Sequence, residues 1–99
     1  MRAMEKPRIQ VDCNELVQPD VVLLSKTDLV IDATSASVLL SEGLPVFVYE
    51  YNCYADGTEE YLFAEGNAEL NDVAANGEWS KPAKWCCRIH DNGVRVEIT

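Results

Sequence analysis

Residues 44–70 constrain the fold more than any other part of the chain. The first half of this segment is rich in β-branched and aromatic residues, which favour strands. Asp56-Gly57 follows as a typical turn pair, and a second apolar stretch comes after it. The segment therefore predicts one long β-hairpin around which the rest of the chain is organised.

Side chains on a strand alternate between two faces, so this hairpin has an aliphatic face and an aromatic face. The aliphatic face comprises Leu44, Val46, Val48, Leu62, Ala64, Ala68 and Leu70. The aromatic face comprises Phe47, Tyr49, Tyr51, Tyr61 and Phe63. A register that places Tyr51 opposite Tyr61 and Tyr49 opposite Phe63 keeps the faces separate, whereas a slip of one residue mixes them. Gly66 predicts a bulge or sharp bend in the second arm.

The remaining chain predicts shorter strands and one irregular segment. Residues 8–14 alternate between apolar and polar side chains, and residues 21–24 and 29–31 are short apolar runs typical of strands. Residues 34–43 fit either a short capped helix or a strand, and the neighbouring strands favour the strand. Residues 71–84 contain turn-forming residues and predict a long irregular connection, while residues 1–6 predict a frayed terminus.

The C-terminal sequence WCCRIHDNGVRVEIT predicts a second hairpin. Asn92-Gly93 favours a two-residue type I′ turn, which would place Ile89 opposite Val96 and Cys87 opposite Ile98. Arg88 would then face Glu97 as an opposite-charge pair. The inward-facing set in this arrangement is Trp85, Cys87, Ile89, Val94, Val96 and Ile98.

These elements predict a single all-β domain over residues 1–99, built as a small barrel or a strongly bent antiparallel sheet of about six or seven strands. The segment VLLSEGLPVFVY resembles the strand–turn–strand pattern of SH3-like and related small barrels. This resemblance implies a barrel topology and no particular activity. SH3-like and OB-like arrangements remain the two alternatives.

Charge is distributed unevenly along the chain, whose formal net charge is −9. Residues 27–80 contain eleven Asp and Glu but no Lys or Arg. Such a surface repels phosphate, so we expect no binding to nucleic acid or to anionic membranes. An acidic patch of Glu50, Asp56, Glu59 and Glu60 would instead suit a basic protein partner.

The N-terminal sequence and the cysteines predict a cytoplasmic protein. The first residues, MRAMEKPR, lack the apolar region of a signal peptide, and no apolar run approaches the ~20 residues that span a membrane. The four cysteines are then expected to be reduced thiols. Of these, Cys87 is expected in the core and Cys53 at the surface near the turn.

Metal binding and catalysis find little support in the sequence. Cys13, Cys53, Cys86 and Cys87 lack C-x-x-C spacing. Cys86 and His90 would lie ~13 Å apart on one strand, too far for two ligands of one ion. No nucleophile elbow or phosphate loop is present, and the single histidine, His90, is expected at an exposed turn. We therefore predict no metal, no cofactor and no catalytic residue.

The aromatic face carries the functional prediction. If a second layer of the chain covers it, these rings are core; if it is open, it exceeds what soluble monomers usually expose and indicates a partner. The leading prediction is a non-enzymatic protein-interaction or accessory module that forms a homodimer or binds another protein. The alternatives are a small hydrolase or isomerase that uses Glu59, Glu60 or His90, and a barrel that binds a small ligand.

Overall fold

The computed structural model describes residues 7–12, 15–90 and 93–98. These residues form nine strands, a short helix α1 (Val73–Asn76) and a 3-10 helix (Glu78–Ser80). The strands are β1 (Arg8–Gln10), β2 (Leu16–Gln18), β3 (Val21–Ser25), β4 (Leu29–Ile31), β5 (Ser37–Leu39), β6 (Pro45–Cys53), β7 (Glu59–Leu70), β8 (Trp85–Ile89) and β9 (Arg95–Ile98). The all-β class is confirmed, with nine strands instead of six or seven.

Seven strands form the main sheet. Six of them lie in the order β1-β6-β7-β8-β3-β2, β9 pairs with β7, and β4 and β5 form a separate two-stranded sheet. β1 is parallel to β6, so the sheet is mixed and not purely antiparallel as predicted. β1 and β2 lie at the two ends of this sheet, and within the described residues they do not pair with each other. The sheet does not close, and neither the SH3-like nor the OB-like barrel is confirmed.

The central hairpin of β6 and β7 has the predicted register. Tyr51 lies opposite Tyr61, and Tyr49 lies opposite Phe63. At the turn, Gly57 adopts a positive φ of 89°, and the Asp56 carboxylate accepts a hydrogen bond from the Thr58 backbone N–H at 2.9 Å. The two residues thus act as the sequence predicts, because glycine adopts this conformation without steric cost.

Gly66 does not form the predicted bulge. It lies opposite Val46 in a ladder that runs without a shift from one end of β6 to the other. A β-carbon at Gly66 would collide with the Arg88 carbonyl oxygen and the Cys87 Sγ. The glycine therefore serves a close approach of β8 to β7, which is the other common reason for a glycine within a strand.

The core lies on the aliphatic face of the hairpin. Its buried residues are Ile9, Val11, Val22, Leu24, Leu40, Val46, Val48, Ala64, Ala68, Trp85, Cys87 and Ile89. Ile9 belongs to β1 and Val22 to β3, which are near opposite ends of the sheet. The sheet is therefore strongly bent around a single core. Val30 and Val38 of the β4–β5 hairpin pack against it as well.

The C-terminal strands do not form the predicted hairpin. β8 pairs with residues 66–70 of β7, and β9 pairs with residues 60–63 of the same strand. Both are antiparallel to β7, so β8 and β9 run in the same direction and lie end to end along one side of β7. The twelve residues of β7 leave room beyond β8, and β9 fills that room instead of folding back.

The predicted cross-strand pairs of this hairpin are therefore wrong. Ile89 lies opposite Gly66, and Val96 lies opposite Leu62. Arg88 does not face Glu97; its guanidinium donates to Glu69 and Asp20. Asn92 lies outside the described residues, and with it the predicted type I′ turn.

The inward-facing set predicted for the C-terminal hairpin is correct only in part. Trp85, Cys87 and Ile89 are buried, as predicted. Val94, Val96 and Ile98 are 42%, 56% and 63% exposed, because β9 extends the sheet past the end of the core. The wrong strand pairing thus led to a wrong prediction of which side chains are buried.

The shorter elements follow the predictions unevenly. Strands at 21–24 and 29–31 are confirmed, and the strand alternative for 34–43 is confirmed as β5. The strand predicted over 8–14 is shorter, and Cys13, Asn14 and the predicted frayed residues 1–6 lie outside the described residues. Strand β2 was not predicted, and the segment 71–84 contains α1 and the 3-10 helix. Neither of these described helices has the length and apolar character needed to cross a bilayer.

Candidate functional site

The candidate site is the aromatic face of the β6–β7 hairpin. The unbroken register brings its rings together in rows across the two strands, with Tyr49 beside Phe63 and Tyr51 beside Tyr61. The Tyr51 and Tyr61 ring centroids are 5.0 Å apart and their planes are inclined by 46°. Tilted ring pairs at this spacing contribute beyond simple burial, so the rings stabilise one another as a surface.

The aromatic face is not part of the buried core. Phe47, Tyr49 and Phe63 are half-buried, and Tyr51 and Tyr61 are each 38% exposed. The aliphatic side chains of the same strands, such as Val46 and Val48, are 0% and 2% exposed on the opposite face. The two faces therefore differ in role as well as in composition.

A groove of about 570 Å³ runs over the centre of the aromatic face. Its residues are Arg8, Ala33, Phe47, Val48, Tyr49, Tyr61, Phe63 and Glu97. The backbone N–H of Ala33 donates to the Arg8 carbonyl at 2.9 Å, which holds the loop after β4 against β1 at this side. Sequence reasoning missed Arg8, Ala33 and Glu97, because only the pairing of β1 and β9 with the hairpin brings them here.

The predicted acidic patch is divided between the two faces. Glu59 lies on the side of the aromatic face, where its Oε2 accepts a hydrogen bond of 2.6 Å from the Tyr51 hydroxyl. This hydrogen bond to a carboxylate raises the pKa of the Tyr51 phenol well above its usual value. Glu60 points to the opposite side, where its Oε1 accepts from Asn52 Nδ2 at 3.2 Å and from the Tyr54 hydroxyl at 2.8 Å.

The other two acidic residues of the patch are also placed by the hairpin. Glu50 lies opposite Leu62, on the same side of the sheet as Glu60. Asp56 lies in the turn, where the hydrogen bond from the Thr58 backbone lowers the pKa of its carboxyl. The four carboxylates therefore surround the end of the hairpin and do not form one flat surface.

The residues of the enzyme alternative are not brought together. Glu59 and Glu60 point to opposite faces of β7. His90 contacts Asn67, which lies seven positions after Glu60 on β7, a distance of about 23 Å along the strand. An acid–base pair needs both groups at one substrate, so this set cannot act as one site.

A second cleft, of about 560 Å³, lies beside His90 and Arg88. The Arg88 guanidinium donates to Glu69 Oε1 at 2.9 Å and to Asp20 Oδ2 at 3.0 Å. These carboxylates, with Glu69 the larger influence, raise the pKa of Arg88. The positive charge is thus engaged by two acids, which makes the cleft a poor site for an anionic ligand.

The two buried thiols, Cys86 and Cys87, are not activated. Burial raises the pKa of Cys86 to about 11 and that of Cys87 to about 12, so both are protonated at neutral pH. Cys53 is exposed, as predicted. Among residues 7–12, 15–90 and 93–98, no three His, Cys, Asp or Glu side chains cluster closely enough to hold a metal ion.

Comparisons with known proteins add no assignment. The chain matches no protein-family model, no curated protein and no solved structure. The functional argument therefore rests on the geometry of the chain itself, and above all on the open aromatic groove.

Proposed function

We propose that this protein is a small non-enzymatic interaction module that binds a protein partner through its aromatic face. One observation carries the proposal: five aromatic side chains share one face of the central hairpin, and four of them, Phe47, Tyr49, Tyr61 and Phe63, line an open groove, while the core occupies the other face. The proposed location is the cytoplasm, because Cys53, Cys86 and Cys87 are free thiols.

The composition of the groove suits protein recognition. Tyr and Phe are enriched at protein interfaces, and buried tyrosine is among the residues that contribute most to binding energy. Tyr49 and Phe63 lie directly opposite each other in the centre of the groove. A partner side chain inserted between the groove walls would remove both rings from water.

The shape of the groove favours a protruding or extended partner segment. Arg8 and Ala33 flank the rings on one side, and Glu97 lies on the other. A convex segment fits between such walls more closely than a flat surface does. A second copy that packs its own aromatic face here, about a two-fold axis, remains a prediction and is the other candidate partner.

Charge favours a partner of basic character. The chain carries a net charge of −9, whereas on the side of the sheet that carries the rings Glu59 and Glu97 are accompanied by Arg8 and Arg95, so the attraction comes from the chain as a whole. Long-range attraction of this kind acts mainly on the association rate and weakens with salt. The proposed partner segment therefore combines apolar side chains for the groove with Lys or Arg beside them.

The test is selection of binding peptides from a random displayed library against the immobilised wild type. The selected peptides are then measured by calorimetry against Tyr49→Asp, which places a charge in the centre of the groove. We expect this variant to weaken binding by at least tenfold, as loss of a central aromatic contact typically does. Light scattering of the wild type and the variant tests the face-to-face homodimer at the same time.

Tyr54→Asp is the matched control, because Tyr54 is 50% exposed near the turn and does not line the groove. It should leave peptide binding unchanged. Thermal melting of each variant checks that it is folded. Peptides that bind Tyr49→Asp as well as the wild type, or a library that yields no binder, would contradict the proposal.

A small molecule is the second candidate ligand for the same groove. A volume of about 570 Å³ lies within the range of known small-molecule sites, and the site combines aromatic rings with Arg8 and Glu97. A fragment screen by NMR distinguishes this candidate from the first. Fragments that shift the Tyr49 and Phe63 signals, together with a peptide library that yields no binder, would favour the small ligand.

A further inference from the structure

Strand β9 exposes an apolar edge. Among the described residues it hydrogen-bonds to β7 alone, so its other side is an open strand edge. Its even-numbered side chains and Val94 just before it are apolar and 42–63% exposed. Proteins usually protect such edges with charged side chains, prolines or bulges, because an open edge pairs with other strands. Residues 94–98 contain no proline, and their two charged side chains, Arg95 and Glu97, have opposite signs and can pair with each other across two antiparallel copies.

We propose that two copies of this chain join their β9 strands in an antiparallel pair about a two-fold axis at Val96. In this arrangement Val96 of one copy lies opposite Val96 of the other, and Val94 lies opposite Ile98. Arg95 of each copy lies opposite Glu97 of the other. The main sheet thereby continues from one copy into the next.

Charge complementarity selects this register. A two-fold axis perpendicular to the sheet must pass through a residue, since directly opposed side chains share a face. An axis at Arg95 would oppose two arginines, and an axis at Glu97 would oppose two glutamates. Only an axis at Val96 places opposite charges across the interface at both sides, which stabilises antiparallel strands.

The same charge pattern indicates that the strand that pairs with the open edge of β9 belongs to a second copy of the chain. Within the chain's own ladder, Arg95 lies opposite Phe63 and Glu97 lies opposite Tyr61, so neither faces a residue of opposite charge on β7. A neighbouring strand with the reverse order of signs would supply such a residue to each of them. Antiparallel β9 is such a strand by symmetry.

The apolar side of the edge also gains in this dimer. Val96 lies beside Leu62 of its own chain, so the pair of strands would form one row of four apolar side chains across both copies. A contact of four or five residues per strand is smaller than a standard interface. The net charge of −9 on each copy opposes association as well. We therefore expect a weak dimer that forms at high micromolar concentration.

The interface of this dimer is the edge of the sheet, which shares Glu97 with the lining of the aromatic groove, so Arg95→Glu is the variant that tests the dimer separately from the proposed function. The dimer would place the two aromatic faces side by side on one continuous surface, since odd-numbered residues of β9 lie on the same side as the rings. A partner with two matching segments could then bind both copies at once.

The test uses charge reversals in sedimentation velocity over a range of concentrations at physiological salt. Arg95→Glu and Glu97→Arg each place like charges opposite one another, and each should weaken self-association about tenfold. An equimolar mixture of the two single variants should associate as the wild type does, because one copy then supplies two carboxylates and the other two guanidiniums. The double variant R95E/E97R should also recover the dimer.

A measurement on the unaltered protein accompanies the variants. Concentration-dependent NMR shifts of backbone amides should be confined to β9 and its neighbours. A wild type that stays monomeric at all concentrations would overturn the proposal. So would single reversals that associate as tightly as the wild type, or a dimer that is abolished by Tyr49→Asp and not by either reversal. The last result would instead indicate pairing through the aromatic faces.

Discussion

The two halves of the β6–β7 hairpin share one continuous ladder but have different surroundings. In the half near Pro45 and Leu70, Val46 and Ala68 are buried, and β8 packs closely at Gly66. In the half near the turn, Tyr51 and Tyr61 are exposed on one side, and Val96 and Ile98 of the adjoining β9 are exposed on the other. One half of the hairpin therefore holds the fold together, and the other exposes apolar side chains to solvent.

The largest expected effect comes from filling the space at Gly66. Gly66→Val places a side chain against the Arg88 carbonyl and the Cys87 Sγ, where the backbone cannot yield. We expect the free energy of unfolding to fall by at least about 3 kcal/mol, measured by urea denaturation. Gly57→Ala, in the turn, is the control: a β-carbon there meets nothing within 4 Å, and its φ of 89° alone should cost about 1 kcal/mol. Equal losses in the two variants would remove the proposed difference between the halves.

A smaller effect is expected when a valine is replaced by alanine in each of the two regions. Val48 is 2% exposed in the core, and Val96 is 56% exposed on β9. Val48→Ala should lower the free energy of unfolding by about 2 kcal/mol, because it leaves a cavity among buried neighbours. Val96→Ala should change it by less than about 0.5 kcal/mol. Thermal or urea denaturation at low protein concentration measures both; a large loss in Val96→Ala would mean that β9 belongs to the core.

The smallest expected effect depends on pH. The Asp28 carboxylate accepts hydrogen bonds from Lys84 Nζ and Trp85 Nε1, each at 2.8 Å, and these lower the pKa of Asp28 below 3.8. A lowered pKa in the folded state stabilises the protein above the unfolded-state pKa, and this contribution is lost as the pH falls through the folded value. Asp28→Asn should therefore be less stable than the wild type at neutral pH, and the difference should disappear in strong acid.

The hydrogen bond between Tyr51 and Glu59, near the turn of the hairpin, provides a control in the alkaline pH range. The hydrogen bond to Glu59 raises the pKa of Tyr51, so its contribution is complete below pH 10 and is lost in alkali. Glu59→Gln should change the alkaline titration of Tyr51, whereas Asp28→Asn should leave that titration unaltered. Unfolding measured across pH by tryptophan fluorescence separates the two; a difference between wild type and Asp28→Asn that persists in acid would show that the carboxylate charge is not the cause.

The sequence predicted those features that depend on neighbouring residues. Alternation along residues 44–70 and the Asp56-Gly57 turn determined the register and the two faces of the hairpin. These follow because the period of a strand and the geometry of a turn are local properties.

Features that depend on distant parts of the chain were missed or misassigned. The Asn92-Gly93 signal predicted that β9 folds back on β8, but a local signal does not report that the longer β7 has free ladder positions at residues 60–63. The groove walls at Arg8 and Ala33 arise from the parallel pairing of β1 with β6, which leaves no local mark. Helix α1 has four residues, too few for a helical period to be recognised.

Because β8 and β9 lie end to end along β7, the two strands differ in the free energy that is needed to unfold each of them locally. Every buried core residue of the described chain precedes His90, so release of β9 breaks its ladder with residues 60–63 and removes no residue from the core. Local unfolding of this kind requires much less free energy than global unfolding. Amide hydrogens of β9 should thus exchange with solvent orders of magnitude faster than those of β8, although both strands pair with the same side of β7.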